Sequence, residues 1–149
     1  MKTLPAAELF DLLIQNHVES SKFIILDESY LIPKKSWFFG PFADSLRDNL
    51  FALGVSSWKP EVNDCDSFAV AGRHWANVLH ARSTNIEAGI SIGEFYYYKN
   101  VDEMADKHAI NIAVVDNEGK LEVVFMEPQN GRKLILTKDQ KRNCEAYII

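Results

Sequence analysis

The sequence predicts an α+β fold, because helical periodicities gather in its first half while strand-like alternation and turn signals gather in its second. The 149 residues, 47% of them hydrophobic, suit one compact domain spanning 1–149. Pro5 to Asn16 places Leu9, Leu12, Leu13 and Asn16 at helical spacing and predicts a first amphipathic helix, with His17 at its end. Phe23-Ile24-Ile25-Leu26 reads as a short buried strand. Tyr30-Leu31-Ile32-Pro33 reads as an extended stretch closed by proline, and Gly40-Pro41 as a chain break. Phe42, Leu46, Leu50 and Leu53 then share a stripe, predicting a second helix stopped by Gly54. The Asp27-Glu28 pair beside the first strand reads either as a turn or as a source of further ligands.

A third helix is predicted to begin at Cys65, after the polar loop that follows Pro60, with Phe68, Gly72, Trp75 and Leu79 on its inward stripe. Gly72 on that face lets another element approach closely. A cysteine in the first helical turn has backbone N–H groups and the positive end of the peptide dipoles aimed at its sulfur, which favours thiolate. Asp64 reads as an N-cap and Asp66 as a first-turn acid. His74 and His80 do not share a helix face, so they predict no transition-metal site.

Glu94 to Tyr98 is predicted as a strand from its aromatic content, with a turn or short helix over Val101 to Lys107. His108, Ile110, Ile112 and Val114 then alternate along one strand, and Leu121, Val123, Phe125 and Glu127 along the next, with Asp116-Asn117-Glu118-Gly119 as turn. Aligning the apolar faces sets Val114 opposite Leu121, Ile112 opposite Val123, Ile110 opposite Phe125, and His108 opposite Glu127. Leu134-Ile135-Leu136 after the Asn130-Gly131 turn, and Ala146 to Ile149, supply further strands. Cys65, His108 and Glu127 thereby become a candidate nucleophile, base and orienting carboxylate, and Gln129, sharing parity with Glu127, a candidate oxyanion donor beside the Cys65 N–H.

Asp64-Cys65-Asp66-Ser67-Phe68 followed by His108-Ala109-Ile110-Asn111-Ile112 resembles the cysteine and histidine segments of the papain-like cysteine peptidase superfamily, more distantly its NlpC-type cell-wall branch. With Glu127-Pro128-Gln129 added, the chain resembles the C-terminal domain of Marasmius oreades agglutinin-type fungal lectins over roughly Trp58 to Thr137. The resemblance implies a papain-like fold, in which N-terminal helices including the Cys65 helix pack on a small antiparallel sheet. It also implies a thiol peptidase or amidase with a Cys65-His108-Glu127 triad acting on a peptide or protein substrate. Activation by calcium or manganese through Asp64 and Asp66, with Glu61 as a further ligand, is implied by the resemblance alone. The β-trefoil of those agglutinins has no room in this chain, so their sugar binding is not implied.

Two other readings stand beside it. One is a catalytically silent binding module on the same fold, favoured if Trp37, Trp58, Tyr96, Tyr97 and Tyr98 form an exposed patch. The other is an amidase of cell-wall peptides. A formal charge of −5 without a basic stripe argues against nucleic acid, with Lys138, Lys141 and Arg142 a small solvated cluster. No apolar run reaches membrane-span length, and Met1 to Leu13 lacks leader architecture. With Cys65 and Cys144 expected as free thiols, the chain is expected to be cytoplasmic, an accessory protein of bacterial or phage type.

Overall fold

The structure is a computed structural model of the chain, and it describes residues 2–19, 22–55, 57, 59, 64–83 and 85–149. In chain order the elements are β1 (Lys2–Pro5), α1 (Ala6–Gln15), β2 (Phe23–Ile24), β3 (Ser29–Ile32), α2 (Lys35–Trp37), a π-helical turn (Phe38–Phe42), α3 (Ala43–Ala52) and α4 (Cys65–Ser83). They continue with β4 (Gly89–Ile90), β5 (Ile92–Asn100), β6 (Ala105–Asn117), β7 (Lys120–Glu127), β8 (Arg132–Leu134), α5 (Lys138–Arg142) and β9 (Ala146–Ile148). A six-stranded sheet runs β2-β9-β5-β6-β7-β8, and a three-stranded sheet runs β1-β3-β4. The α+β class is therefore the observed one. The larger sheet is mixed where a purely antiparallel one was expected, because β2 lies parallel to β9.

Alternation along β6 builds two cores, one on each face of the large sheet. Ile110, Ile112 and Val114 join Phe95, Phe125 and Tyr147 in a cluster that α1 closes with Leu9 and Leu13. Ala113 and Val115 join Ile92, Val124 and Met126 on the opposite face, covered by Phe38, Phe42, Leu46 and Leu50 and by Phe68 and Ala76 of α4. The stripe read for α4 is the buried one, with Phe68 and Gly72 sealed and Trp75 and Leu79 packed at its margin.

Four local expectations are corrected. Gly40-Pro41 does not break the chain: Pro41 sits inside the π-helical turn, whose widened ring accommodates a residue lacking its N–H, and the chain runs on helically into α3. Phe23 and Ile24 form an edge strand and are 45% and 50% exposed, so that strand is not buried. In the 134–136 stretch the strand ends at Leu134, and Ile135 is exposed. The β6–β7 register pairs Val114 with Val123 and Ile112 with Phe125, two residues from the expected alignment, because the hairpin closes tightly with Asn117 opposite Lys120.

Gly54 ends α3 at φ 71°, as its position after the last apolar residue predicted. His17 follows α1 at φ 65°. Of the side chains expected in an exposed aromatic patch, Tyr97 is buried, Trp37 packs against Phe42 in a tilted arrangement at 5.3 Å, Tyr96 and Tyr98 are half-buried, and Trp58 lies outside the described residues. Cys65 and Cys144 are not joined in a disulfide, and Cys144 Sγ donates to Glu19 O at 3.2 Å.

Candidate functional site

The start of α4 is built by its own sequence. Asp64 caps the helix, its Oδ1 accepting from the Ser67 backbone N–H at 3.4 Å and from Ser67 Oγ at 3.1 Å, while Phe68 N–H reaches Asp64 O at 3.2 Å. Cys65 is therefore the first helical residue, partly accessible at the mouth of a cleft.

The opposite wall comes from the paired strands β5 and β6, where Tyr96 faces Ala109 and Tyr97 faces His108. Just before that wall the β5–β6 ladder skips Lys99 and Asp106, and Asp106 takes φ 55°, a left-handed conformation that interrupts the strand next to Lys107 and His108. Asp64, Cys65, Asp66, Tyr96, Lys107, His108 and Ala109 together line a cleft of about 200 Å³. Cys65 and His108 thus share one cleft.

Glu127 stands behind His108. The His108 Nε2 to Glu127 Oε2 distance is 2.8 Å, with both side chains largely buried, and the His108 ring meets Tyr97 edge-on at 5.9 Å. The two-residue register shift makes the pair diagonal neighbours where directly opposed ones were expected. An even shift keeps both side chains on the same face, so the contact survives. Glu127 Oε1 is buried with no hydrogen-bond partner among the described residues. Gln129 is not with them: it lines a separate groove with Arg47, Asp48, Leu50 and Phe51, because the chain turns away after Glu127.

Electrostatics at the cleft mouth centre on the two aspartates. A hydrogen bond shared between them holds Asp64 below the usual carboxylate range, helped by Ser67, and the same contact raises Asp66, with burial and the Asp64 charge adding to the rise. Lys107 forms an ion pair with Glu145 at 2.7 Å, and its ammonium is pushed above the usual range chiefly by that partner.

A buried network that the sequence reading missed lies beneath the cleft. Glu94, only 2% exposed, accepts from Arg73 Nε at 2.6 Å and from the Tyr96 hydroxyl at 2.6 Å. Burial and then the Glu94 contact push the Tyr96 phenol far up. Lys107 and Tyr96 were findable from their neighbours, since one precedes His108 and the other lies in the strand predicted beside it. Glu94 was not, because nothing local marks it for burial.

Asp64 and Asp66, the residues implied to hold calcium or manganese, both line the cleft. Among the described residues no group of three or more His, Cys, Asp or Glu side chains converges on a common point. Asp64 and Asp66 supply only part of the roughly six to eight oxygens that calcium takes. Glu61 lies outside the described residues.

No family model matches this chain, and no curated protein matches it either. Solved structures do match. A structure described as "PSL1a-E64 complex" is similar over 99% of this chain and 51% of its own, with 21% identity and a TM-score of 0.69. A Polyporus squamosus lectin, described as bound to the human-type influenza-binding epitope Neu5Aca2-6Galb1-4GlcNAc, is similar over 99% of this chain and 49% of its own, with 19% identity and a TM-score of 0.66. The chain spans about half the length of these structures, and at such identities the likeness establishes a shared fold. It corrects the expectation of a papain-like cysteine peptidase: the neighbour with a named class is a lectin, and the hydrolase and thiol-protease assignments have no support among the matches.

Proposed function

We propose that this chain is a catalytically silent binding module that holds one end of a polar, hydroxyl-rich ligand in the Cys65 cleft. The observation that carries this reading is the cleft's lining: carboxylates of Asp64 and Asp66 and the ring nitrogen of His108 not bonded to Glu127 to accept hydrogen bonds, Lys107 to donate them, and the Tyr96 ring for a sugar face to rest on. At about 200 Å³ the cleft has room for one end of an oligosaccharide and not for its whole length. The trisaccharide described with the Polyporus squamosus lectin, about half of whose length this chain spans, supports the choice of a hydroxyl-rich ligand. His108 and Glu127 serve as one rigid unit, the buried carboxylate fixing the imidazole's direction toward the cleft.

Two broader parts of the proposal rest on separate support. The sheet that both cores share supports treating 1–149 as one folded unit. That no disulfide joins Cys65 and Cys144 supports a reducing, cytoplasmic setting, and no described helix is long and apolar enough to cross a membrane.

The test is an NMR titration of the isotope-labelled chain with Neu5Acα2-6Galβ1-4GlcNAc, with and without calcium or manganese. Saturable shifts at Tyr96, Lys107 and His108 are expected, with affinity about tenfold weaker in Asp66→Asn and His108→Ala, the loss of one hydrogen-bonding contact each. Shifts confined to other surfaces, or none at millimolar ligand, overturn the ligand class. Any Cys65-dependent chemical conversion of a peptide or glycan overturns the silent character.

A further inference from the structure

A second cavity lies far along α4 from the Cys65 cleft, where the last turns of that helix meet the three-stranded sheet and α2. Leu31 and Ile90, paired across β3 and β4 and both buried, form its floor. Pro33 and Trp37 form one wall, His80 and Ser83 of α4 the other, and Lys34 stands at the mouth. Its volume is about 270 Å³ and its lining is almost wholly apolar.

Among the described residues, the polar side chains that line it are Lys34, His80 and Ser83. His80 Nε2 lies 2.7 Å from the Ala88 carbonyl, which can only accept, so that nitrogen carries the proton and the ring is fixed in place. Ser83 Oγ donates to His80 O at 3.3 Å. Lys34 pairs with Asp116, which balances its charge, yet its ammonium has three N–H groups and its side chain is 63% exposed. An apolar body between packed walls, with the Lys34 ammonium at its opening, is the usual build of a small-molecule site.

We propose that this cavity binds an uncharged aromatic molecule of two fused rings bearing one hydroxyl, the rings against Trp37 and Ile90 and the oxygen accepting from Lys34. Size selects the body. An apolar cavity of about 150 Å³ takes benzene, so a space of this volume takes a bicyclic ring system. Charge selects the head group: an anion at Lys34 meets the Asp116 carboxylate beside it, whereas a neutral hydroxyl accepts from the ammonium without that repulsion. Sugars are excluded by the same lining, since their hydroxyls find no partners on Leu31, Pro33 and Ile90. The site is independent of the Cys65 cleft and of the ligand proposed there.

The experiment uses 2-naphthol as probe, titrated into the labelled whole chain and followed at the Trp37 indole N–H and at the Leu31 and Ile90 methyls. Saturable binding with a Kd on the order of 0.1 mM is expected, consistent with the efficiency of so small a ligand. Lys34→Met, a change at an exposed side chain, is expected to weaken 2-naphthol about tenfold while leaving naphthalene unaffected. With the native chain, 2-naphthoate is expected to bind more weakly than 2-naphthol. Shifts clustered at Phe51 and Leu53 or at Phe23 and Leu26 with none at Trp37, equal loss of naphthol and naphthalene in Lys34→Met, or tighter binding of the naphthoate each overturn the proposal.

Discussion

At Gly72 α4 lies close against Asn111 of the large sheet, and a single methyl group there has nowhere to go. A Cβ on Gly72 would stand 2.0 Å from Asn111 Oδ1, a separation that forces something to move. Asn111 cannot move freely, because its Nδ2 donates to Ala69 O at 2.8 Å and to Gly93 O at 3.0 Å, clipping helix and sheet together. Gly72→Ala is therefore expected to destabilise the fold by about 1–3 kcal/mol, the range of an overpacked core. Urea denaturation reads the loss directly, and a change below about 0.5 kcal/mol contradicts the contact. Gly72→Ala and Asn111→Ala combined are expected to cost less than the sum of the two single changes, since removing the Asn111 side chain removes the clash. The effect reaches the cleft as well, because Cys65 begins the helix that Gly72 seats. Both Gly72 and Cys65 were legible in the sequence. Each depends on helical periodicity over a single segment, and Asp64 as N-cap depends on an offset of three residues.

Between elements, the described ion pair with the most deeply buried carboxylate is Arg73 of α4 on Glu94 of β5. Glu94 is buried, and Arg73 supplies its compensating charge at 2.6 Å. Arg73→Met keeps much of the stem and removes the guanidinium, leaving a buried carboxylate with only the Tyr96 hydroxyl. The expected cost is about 3 kcal/mol, as for other buried pairs broken on one side. Glu94→Gln with Arg73→Met is expected to recover part of it, because no charge then stays buried; a double variant no more stable than Arg73→Met contradicts the ion-pair account. This pair lay beyond the reach of the sequence, since it joins residues on two elements whose packing no local pattern specifies. The His108–Glu127 pair was within reach for a reason that also explains the register error. Alternation fixes the face of every residue in β6 and β7 but leaves even shifts undetermined, and the turn at Asn117 and Lys120 decides among them. Gln129 was misplaced because parity ceases to apply once β7 ends at Glu127. Gly40-Pro41 misled for the opposite reason: proline forbids a regular helical bond, yet a π-helical turn needs no donor at that place.

Across the whole molecule, buried tyrosines join regions far apart in the chain, and their phenols set an alkaline limit on the fold. Tyr30 donates to Ile149 O at 2.8 Å and accepts from the N–H groups of Leu26 and Asp27 at 2.9 Å, so one hydroxyl ties β3, the segment after β2 and the last residue together. Tyr147 is buried in the α1-side core, and burial pushes its phenol from 10.0 up to about 12. Burial also raises Tyr30, Tyr96 and Tyr97, with the nearby Glu94 carboxylate adding to the rise at Tyr96. In each case the folded chain holds the phenol proton more tightly than the unfolded chain. Between the unfolded pKa near 10.0 and the folded value the native state thus binds more protons, and stability falls as pH rises. Below that window these groups are neutral in both states and contribute no slope. The denaturant midpoint is therefore expected to stay level up to about pH 9.5 and then to drop steadily toward about pH 12, with tyrosinate absorbance appearing together with unfolding. Tyr147→Phe removes one of the linked protons and is expected to make that drop shallower. Tyrosinate formed at ordinary pH in a chain that remains folded would show that these rings are open to water, and with that the packing of both faces of the sheet would need to be redrawn.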